Sequence, residues 1–238
     1  MGKNLIQQAR GKGGPTYRAC SFNYVGEAKH KSISTEAVVG TITDFVKCAG
    51  HSAPLAEVKY TDGEEVLMLA PEGLRVGEQI STGPAAEVKI GNTTTLANIP
   101  VGTLINNLES QPGDGGKFCR SSGTFARVIA VSEGKITVEL PSKKTREFLP
   151  GCRATIGVLA GAGRTEKPIM KAGRAHHKAR AKNKLYPHIA GIAQNAVDHP
   201  FGKKSSHTKG RPFTTPRNAP PGRKVGLIAA SRTGRRKR

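Results

Sequence analysis

Residues Leu55–Ala70 read LAEVKYTDGEEVLMLA. Leu55–Thr61 alternates, Asp62-Gly63 supplies a tight turn, and Glu65–Ala70 runs back. A period of two on either side of such a turn is the signature of an antiparallel hairpin. Upstream, Val38, Val39, Ile42, Phe45 and Val46 make a β-branched and aromatic run, which fits a pleated, half-buried surface. Downstream, Pro71-Glu72-Gly73 is another turn and Val76–Ile80 a further short strand. Short strands at this spacing over Glu36–Ser81 predict a small β barrel.

Beyond it the register changes. Gly91, Asn92, Pro100 and Gly102 punctuate the chain, which places a domain junction near Thr82–Glu87. Val101–Leu108 follows, then the loop Pro112-Gly113-Asp114-Gly115-Gly116. Phe125, Arg127, Ile129 and Val131 share one face of an alternating segment. Glu133-Gly134 turns into Ile136–Leu140, and Arg146–Leu149 and Arg153–Leu159 add two strands. This predicts a second small barrel of about five strands. The chain is therefore mostly β and divides into a basic arm (1–34), two barrels (35–84 and 85–160) and a long irregular tail (161–238). Each barrel is small, and a core of that size is marginal by itself.

Charge names the partner class. Lys and Arg number 38 against 17 acids, a net +21 over 238 residues. Residues 1–34 hold 6 basic and 1 acidic side chain, residues 35–150 hold 11 and 14, and residues 151–238 hold 21 and 2. Two cationic ends around an ordinary middle predict binding to a polyanion. In the arm, Arg10, Lys12, Arg18, Lys29 and Lys31 alternate with Tyr17, Phe22 and Tyr24. That pattern suits tracking a phosphate backbone and stacking on an unpaired base. In the tail, Pro187, Pro200, Pro212, Pro216, Pro220 and Pro221 forbid long elements. A short basic helix fits around Gly173–Ala181, and SRTGRRKR ends the chain.

Other classes fit poorly. No run approaches the roughly 18 apolar residues of a spanning helix, and MGKNLIQQARGKGG lacks a signal-peptide core. Cys20, Cys48, Cys119 and Cys152 form no CxxC pair and read as reduced thiols, and His176-His177 lacks a third metal ligand. No phosphate-binding GxxxxGK[ST] or strand-linked GxGxxG occurs. No helix-turn-helix or zinc-finger pattern suggests DNA.

Within the tail, Ala190–Gly202 (AGIAQNAVDHPFG) carries one charged side chain, Asp198. A neutral island in a cationic tail suggests a segment shaped to one surface, and folded RNA, recognised by shape and phosphate, is such a surface. Asp198 and His199 are adjacent, so in extended chain they point to opposite sides and cannot make a catalytic pair. His199 reads instead as a hydrogen-bonding and stacking side chain on a backbone path fixed by Pro200. Ordering such a tail costs about 1–2 kcal/mol per residue, which points to a permanent assembly. The alternatives are a free RNA chaperone or translation factor, and an acyl-transfer enzyme using His199 as base.

The same residues resemble a known family. LAPEGLRVGEQI (Leu69–Ile80), GNTTTLANIPVGT (Gly91–Thr103), QPGDGGKFCRSSGT (Gln111–Thr124), CRATIG (Cys152–Gly157), KAGR (Lys171–Arg174), GIAQNAVDHPFG (Gly191–Gly202) and RNAPPGRKVGLIAASRTGR (Arg217–Arg235) are similar to the universal second protein of the large ribosomal subunit. The last stretch looks like the archaeal and eukaryotic branch. The resemblance implies an OB-fold barrel, an SH3-like barrel and a tail threaded into large-subunit rRNA near the peptidyl transferase centre. It implies support of subunit association, tRNA placement and peptide-bond formation, with the rRNA as catalyst.

Other implied partners are ribosomal proteins and the small subunit, with no membrane and no DNA. The implied location is cytoplasmic, on the ribosome. No cofactor or metal of its own is implied, only magnesium belonging to nearby rRNA. His199 matches a histidine tied to peptidyl transferase activity, Arg120 matches an rRNA-binding arginine, and His51 stands where bacterial members have another. After Phe201-Gly202 the family runs on in glycines, whereas this chain has Lys203, Lys204, Ser205 and Ser206. The rRNA-contacting candidates are Arg10, Lys12, Arg18, His51 and Arg120, then Lys171, Arg174, Lys178 and Arg180. Asp198, His199, Pro200, Lys203, Lys204, Arg211, Arg217, Arg223 and Lys224 complete them.

Overall fold

Val38–Val46 (β1), Leu55–Tyr60 (β2), Glu65–Leu69 (β3) and Gln79–Thr82 (β4) build the first barrel of the computed structural model, which describes residues 3–132, 134–203, 208, 210 and 212–234. The hairpin forms as read, in the register Leu55↔Leu69 to Lys59↔Glu65. β1 pairs antiparallel with β2 and β4. Their inward residues, among them Ile42, Val58, Tyr60, Met68 and Ile80, make one buried core. The strand expected at Val76–Ile80 starts three residues later. Glu78 accepts the Arg75 amide and returns its own N–H to the Arg75 carbonyl, while Gly77 donates to Ile42, so 75–78 is a turn.

The second barrel has Thr93–Thr95 (β5), Leu104–Asn106 (β6), Ala126–Ser132 (β7), Lys135–Glu139 (β8), Thr145–Phe148 (β9) and Arg153–Ile156 (β10). That is six strands among the described residues, against about five expected. The addition is β5, a threonine triplet short enough to be read as punctuation. It pairs with β10 at three positions, and the Thr93 and Thr155 hydroxyls meet at 3.0 Å. Leu96, Ile105, Leu108, Val128, Ile136, Val138 and Phe148 fill this core. On β7 the face shared by Phe125, Arg127, Ile129 and Val131 is the outward one, and Ala126 and Val128 point into the core. The turn drawn at Glu133-Gly134 lies partly outside the described residues, at Glu133.

All ten strands form one sheet, ordered β3-β2-β1-β4-β5-β10-β6-β7-β8-β9. The seam is a single parallel pair, Thr82↔Thr93. A third buried cluster spans the seam, with Leu55 and Leu69 from one barrel, Leu159 following the other, and Ala28 from the segment before β1.

That segment corrects the reading of residues 1–34 as one arm. The compact unit containing the barrels is Cys20–Met170, and Cys20–Ser34 is a strap lying on it. Lys29 N–H donates to Leu67 O of the first barrel and His30 N–H to Gly115 O of the second. The Lys31 ammonium is buried against Asp62 and Glu64 (2.6 Å to the latter), and both carboxyls are held below their usual range by it. Lys29 pairs with Glu27 at 2.8 Å. Two cations counted toward the arm's RNA surface are thus engaged within the barrel unit.

Beneath the strap, Glu109 is fully buried and forms a two-point pair with Arg153, Oε1 accepting from Nε at 3.1 Å and Nη2 at 2.8 Å. Glu109 also accepts the Gly113, Gly115 and Arg153 amides, and Arg153 Nη1 donates to Lys31 O at 2.6 Å. Burial alone would raise the Glu109 carboxyl, but Arg153 and these amides outweigh it and hold it below the usual range.

The other compact unit is Met1–Ala19 with Lys171–Arg238. It contains α1 (Ile6–Gly11), α2 (Ala172–Arg180) and a two-residue parallel pair, Thr214–Thr215 (β11) with Leu227–Ile228 (β12). Neither helix buries a residue. Six to nine residues are too few for a stable isolated helix, so this unit is held by turns and by contacts between its first residues and the tail.

Candidate nucleic-acid interface

The two units divide the charge completely. Met1–Ala19 and Lys171–Arg238 hold 22 of the 38 Lys and Arg and one of the 17 acids, Asp198, so the whole net +21 belongs to them. Cys20–Met170 holds 16 cations and 16 acids and is neutral. The cationic surplus is therefore a property of the tail and the first 19 residues.

At the centre of this unit the neutral island folds back on itself. The Asp198 and His199 amides both donate to Asn195 O, at 3.0 and 3.1 Å, Gly202 N–H donates to His199 O, and Lys203 N–H to Gln194 O. His199 Nδ1 accepts the Phe201 amide at 3.0 Å, so the neutral ring carries its proton on Nε2. Burial lowers the His199 pKa, which favours that neutral form. The His199 and Phe201 rings lie 5.2 Å apart, and Phe201 stacks on Phe213 at 5.6 Å. Two glycines permit this path: a Cβ on Gly191 would sit 2.2 Å from the His199 ring, and one on Gly202 would sit 2.3 Å from Asn195 O.

Asp198 does not face His199. Its carboxylate accepts from Lys3 Nζ at 2.9 Å, across 195 residues of sequence. Among the described residues the imidazole is ordered by the Phe201 amide, and no carboxylate is hydrogen-bonded to it as a triad needs.

Arg10, Lys12, Arg18, Lys171, Arg174, Lys178, Arg180, Lys203, Arg217, Arg223 and Lys224 are all exposed in this unit. Arg10 and Lys12 line a groove with Asp198, His199 and Pro200. Arg174 and Lys178, one turn apart on α2, share a face. Lys203 adopts φ +86°, a left-handed conformation suited to glycine. Lys204 and Arg211 lie outside the described residues.

Arg120 and His51 belong to the barrel unit. The Arg120 guanidinium donates to Gly116 O and, at 2.6 Å, to Ala28 O, which ties it to the strap. His51 is half-buried beside the Cys48 turn. The glycine-rich loop at 112–116 does not form a phosphate cradle: its amides at Gly113, Gly115 and Gly116 point inward to Glu109 and Asp114.

Sequence reasoning missed Lys3 and Asn183. Asn183 Nδ2 donates to Thr16 O at 2.8 Å and Arg18 O at 2.7 Å. Neither contact has a local sequence signature, because each joins chain segments more than 160 residues apart.

The four cysteines are free thiols, and burial pushes Cys119 up to about 12. Among the described residues no cluster of three His, Cys, Asp or Glu is placed to hold a metal, and no helix is long and apolar enough to cross a membrane.

A neutral pair of β barrels with a polycationic, irregular extension defines the class: an RNA-binding protein of the ribosomal type, built as an OB-fold barrel followed by an SH3-like barrel. Residues 89–218 match the family described as Ribosomal Proteins L2, C-terminal domain. The chain is 51% identical over 235 residues to the large ribosomal subunit protein uL2 of Methanocella arvoryzae, covering 98% of this chain and 99% of that one. It is 50% identical to the uL2 proteins of Haloquadratum walsbyi (99% of this chain, 97% of that one) and Methanothermobacter thermautotrophicus (100% of each). The chain belongs to the ribosomal protein uL2 family.

Proposed function

We propose that this protein is a structural constituent of the large ribosomal subunit, working on ribosomes in the cytoplasm. It binds large-subunit rRNA through its cationic unit, placing His199 near the peptidyl transferase centre. There it supports subunit association, tRNA placement and peptide-bond formation by shaping the RNA. The observation that carries this reading is the division of charge: the full +21 sits on a unit with almost no buried side chains. Such a unit gains its counter-charge and much of its order from a polyphosphate.

In this reading the neutral barrels anchor the protein, the tail contacts rRNA along its length, and other ribosomal proteins and the small subunit adjoin it. The His199 imidazole contributes a neutral Nε2–H donor and a stacking face, and the bond-making groups belong to the RNA. Sedimentation of cell extract tests it. The protein should travel with the large subunit and exchange slowly in a pulse-label experiment; a freely exchanging soluble pool would instead favour a chaperone or translation factor. Purified protein without RNA should show no acyl-transfer turnover that His199→Ala abolishes.

A further inference from the structure

The first residues and the tail enclose a groove of about 1640 Å³. One wall is residues 3–17, and it is pinned at both ends: Lys3 to Asp198 at 2.9 Å, and the Thr16 and Arg18 carbonyls to Asn183 at 2.8 and 2.7 Å. The facing residues come from 185–200 and from Gly222 and Val225. The only acid of the unit is thus placed where it fastens the wall.

The lining combines two chemistries. Leu5, Ile6, Leu185, Ile189 and Val197 line it while 38–63% exposed, so apolar surface is left uncovered. Lys3, Arg10 and Lys12 line it as well, with the Arg10 guanidinium 5.9 Å from the Tyr17 ring centre. An apolar floor beside cations fits a ligand with flat apolar faces on an anionic chain. In a duplex those faces are stacked away, whereas an unpaired strand presents them.

We propose that this groove, formed jointly by the N-terminal segment and the tail, seats unpaired RNA nucleotides, with bases over the apolar floor and phosphates toward Arg10 and Lys12. The proposal rests on the ribosomal reading above and adds which form of RNA this surface takes and that residues 3–17 are half of the site. The charge of the unit, 22 cations to one acid, favours RNA over an apolar peptide.

The test titrates the full chain with three probes: a single-stranded RNA, a blunt RNA duplex with the same number of phosphates, and polyglutamate. The single strand should bind about tenfold more tightly than the duplex, in line with the stacking of one or more bases. Ile6→Ser with Val197→Ser should remove that preference and keep the salt slope. Arg10→Gln with Lys12→Gln should lower the slope for both RNAs. In the unsubstituted chain, 4-thiouridine in the single strand should crosslink to peptides from both 3–17 and 185–200.

Equal affinity for strand and duplex, crosslinks to only one of the two segments, or polyglutamate binding as tightly as the single strand and weakened by the Ile6 and Val197 changes would each overturn the proposal. Cosedimentation with the large subunit separates the two failures. A protein that cosediments without strand preference keeps the ribosomal reading and loses the groove; one that does not cosediment loses the ribosomal reading itself.

Discussion

Gly191 is the residue on which the geometry of His199 turns. The imidazole lies against its Cα with no room for a Cβ, and the ring's Nδ1 is committed to the Phe201 amide. Gly191→Ala forces the ring or the backbone to move, at about 1–3 kcal/mol for an overpacked contact. We expect rRNA affinity to fall and the His199 ring resonances to shift, with the melting temperature of the barrel unit unchanged. An unshifted ring would show that the backbone yields instead. At the next turn, Lys203 occupies a glycine-like conformation where the resemblance anticipates a glycine. The sequence showed a departure there, and the backbone at Lys203 is left-handed although the residue is not glycine.

At the scale of elements, the strap Cys20–Ser34 and the loop after Glu109 hold the barrels together. His30 is buried, with Nε2 donating to Asn107 O at 2.6 Å. Burial, reinforced by the nearby Arg153 charge, lowers its pKa to about 4. The unfolded chain therefore binds a proton that the folded chain refuses between pH 6.5 and about 4. Stability falls as pH drops through that window. Urea unfolding of His30→Gln, compared with the parent, should show a flatter dependence over the same range.

The Glu109–Arg153 pair gives a second prediction. Glu109→Gln leaves the Arg153 guanidinium buried without its counter-charge, which costs about 3–5 kcal/mol. A loss below about 1 kcal/mol in the same unfolding experiment would mean that the backbone carbonyl and amide contacts alone hold the strap.

For the whole molecule, the charge division predicts where salt acts. Replacing Arg174, Lys178 and Arg180 of α2 with Gln should reduce the slope of log affinity against log salt by about 2–3, since each phosphate no longer neutralised lowers it by close to one. The barrel unit's melting temperature should stay fixed. A melting shift with an unchanged slope would place the charged surface in the wrong unit.

The strands were legible in the sequence because alternation and turns are local: the Leu55–Ala70 hairpin formed about the expected turn, and the basic helix formed as Ala172–Arg180. Charge was legible too, since a sum needs no geometry. Only the tertiary structure moved Lys31 out of the cationic surface, because its carboxylate partners, Asp62 and Glu64, are chosen by packing rather than composition. It alone joined Lys3 to Asp198 and Asn183 to Thr16, since a contact between chain ends depends on where the backbone returns and leaves no periodic mark on either segment.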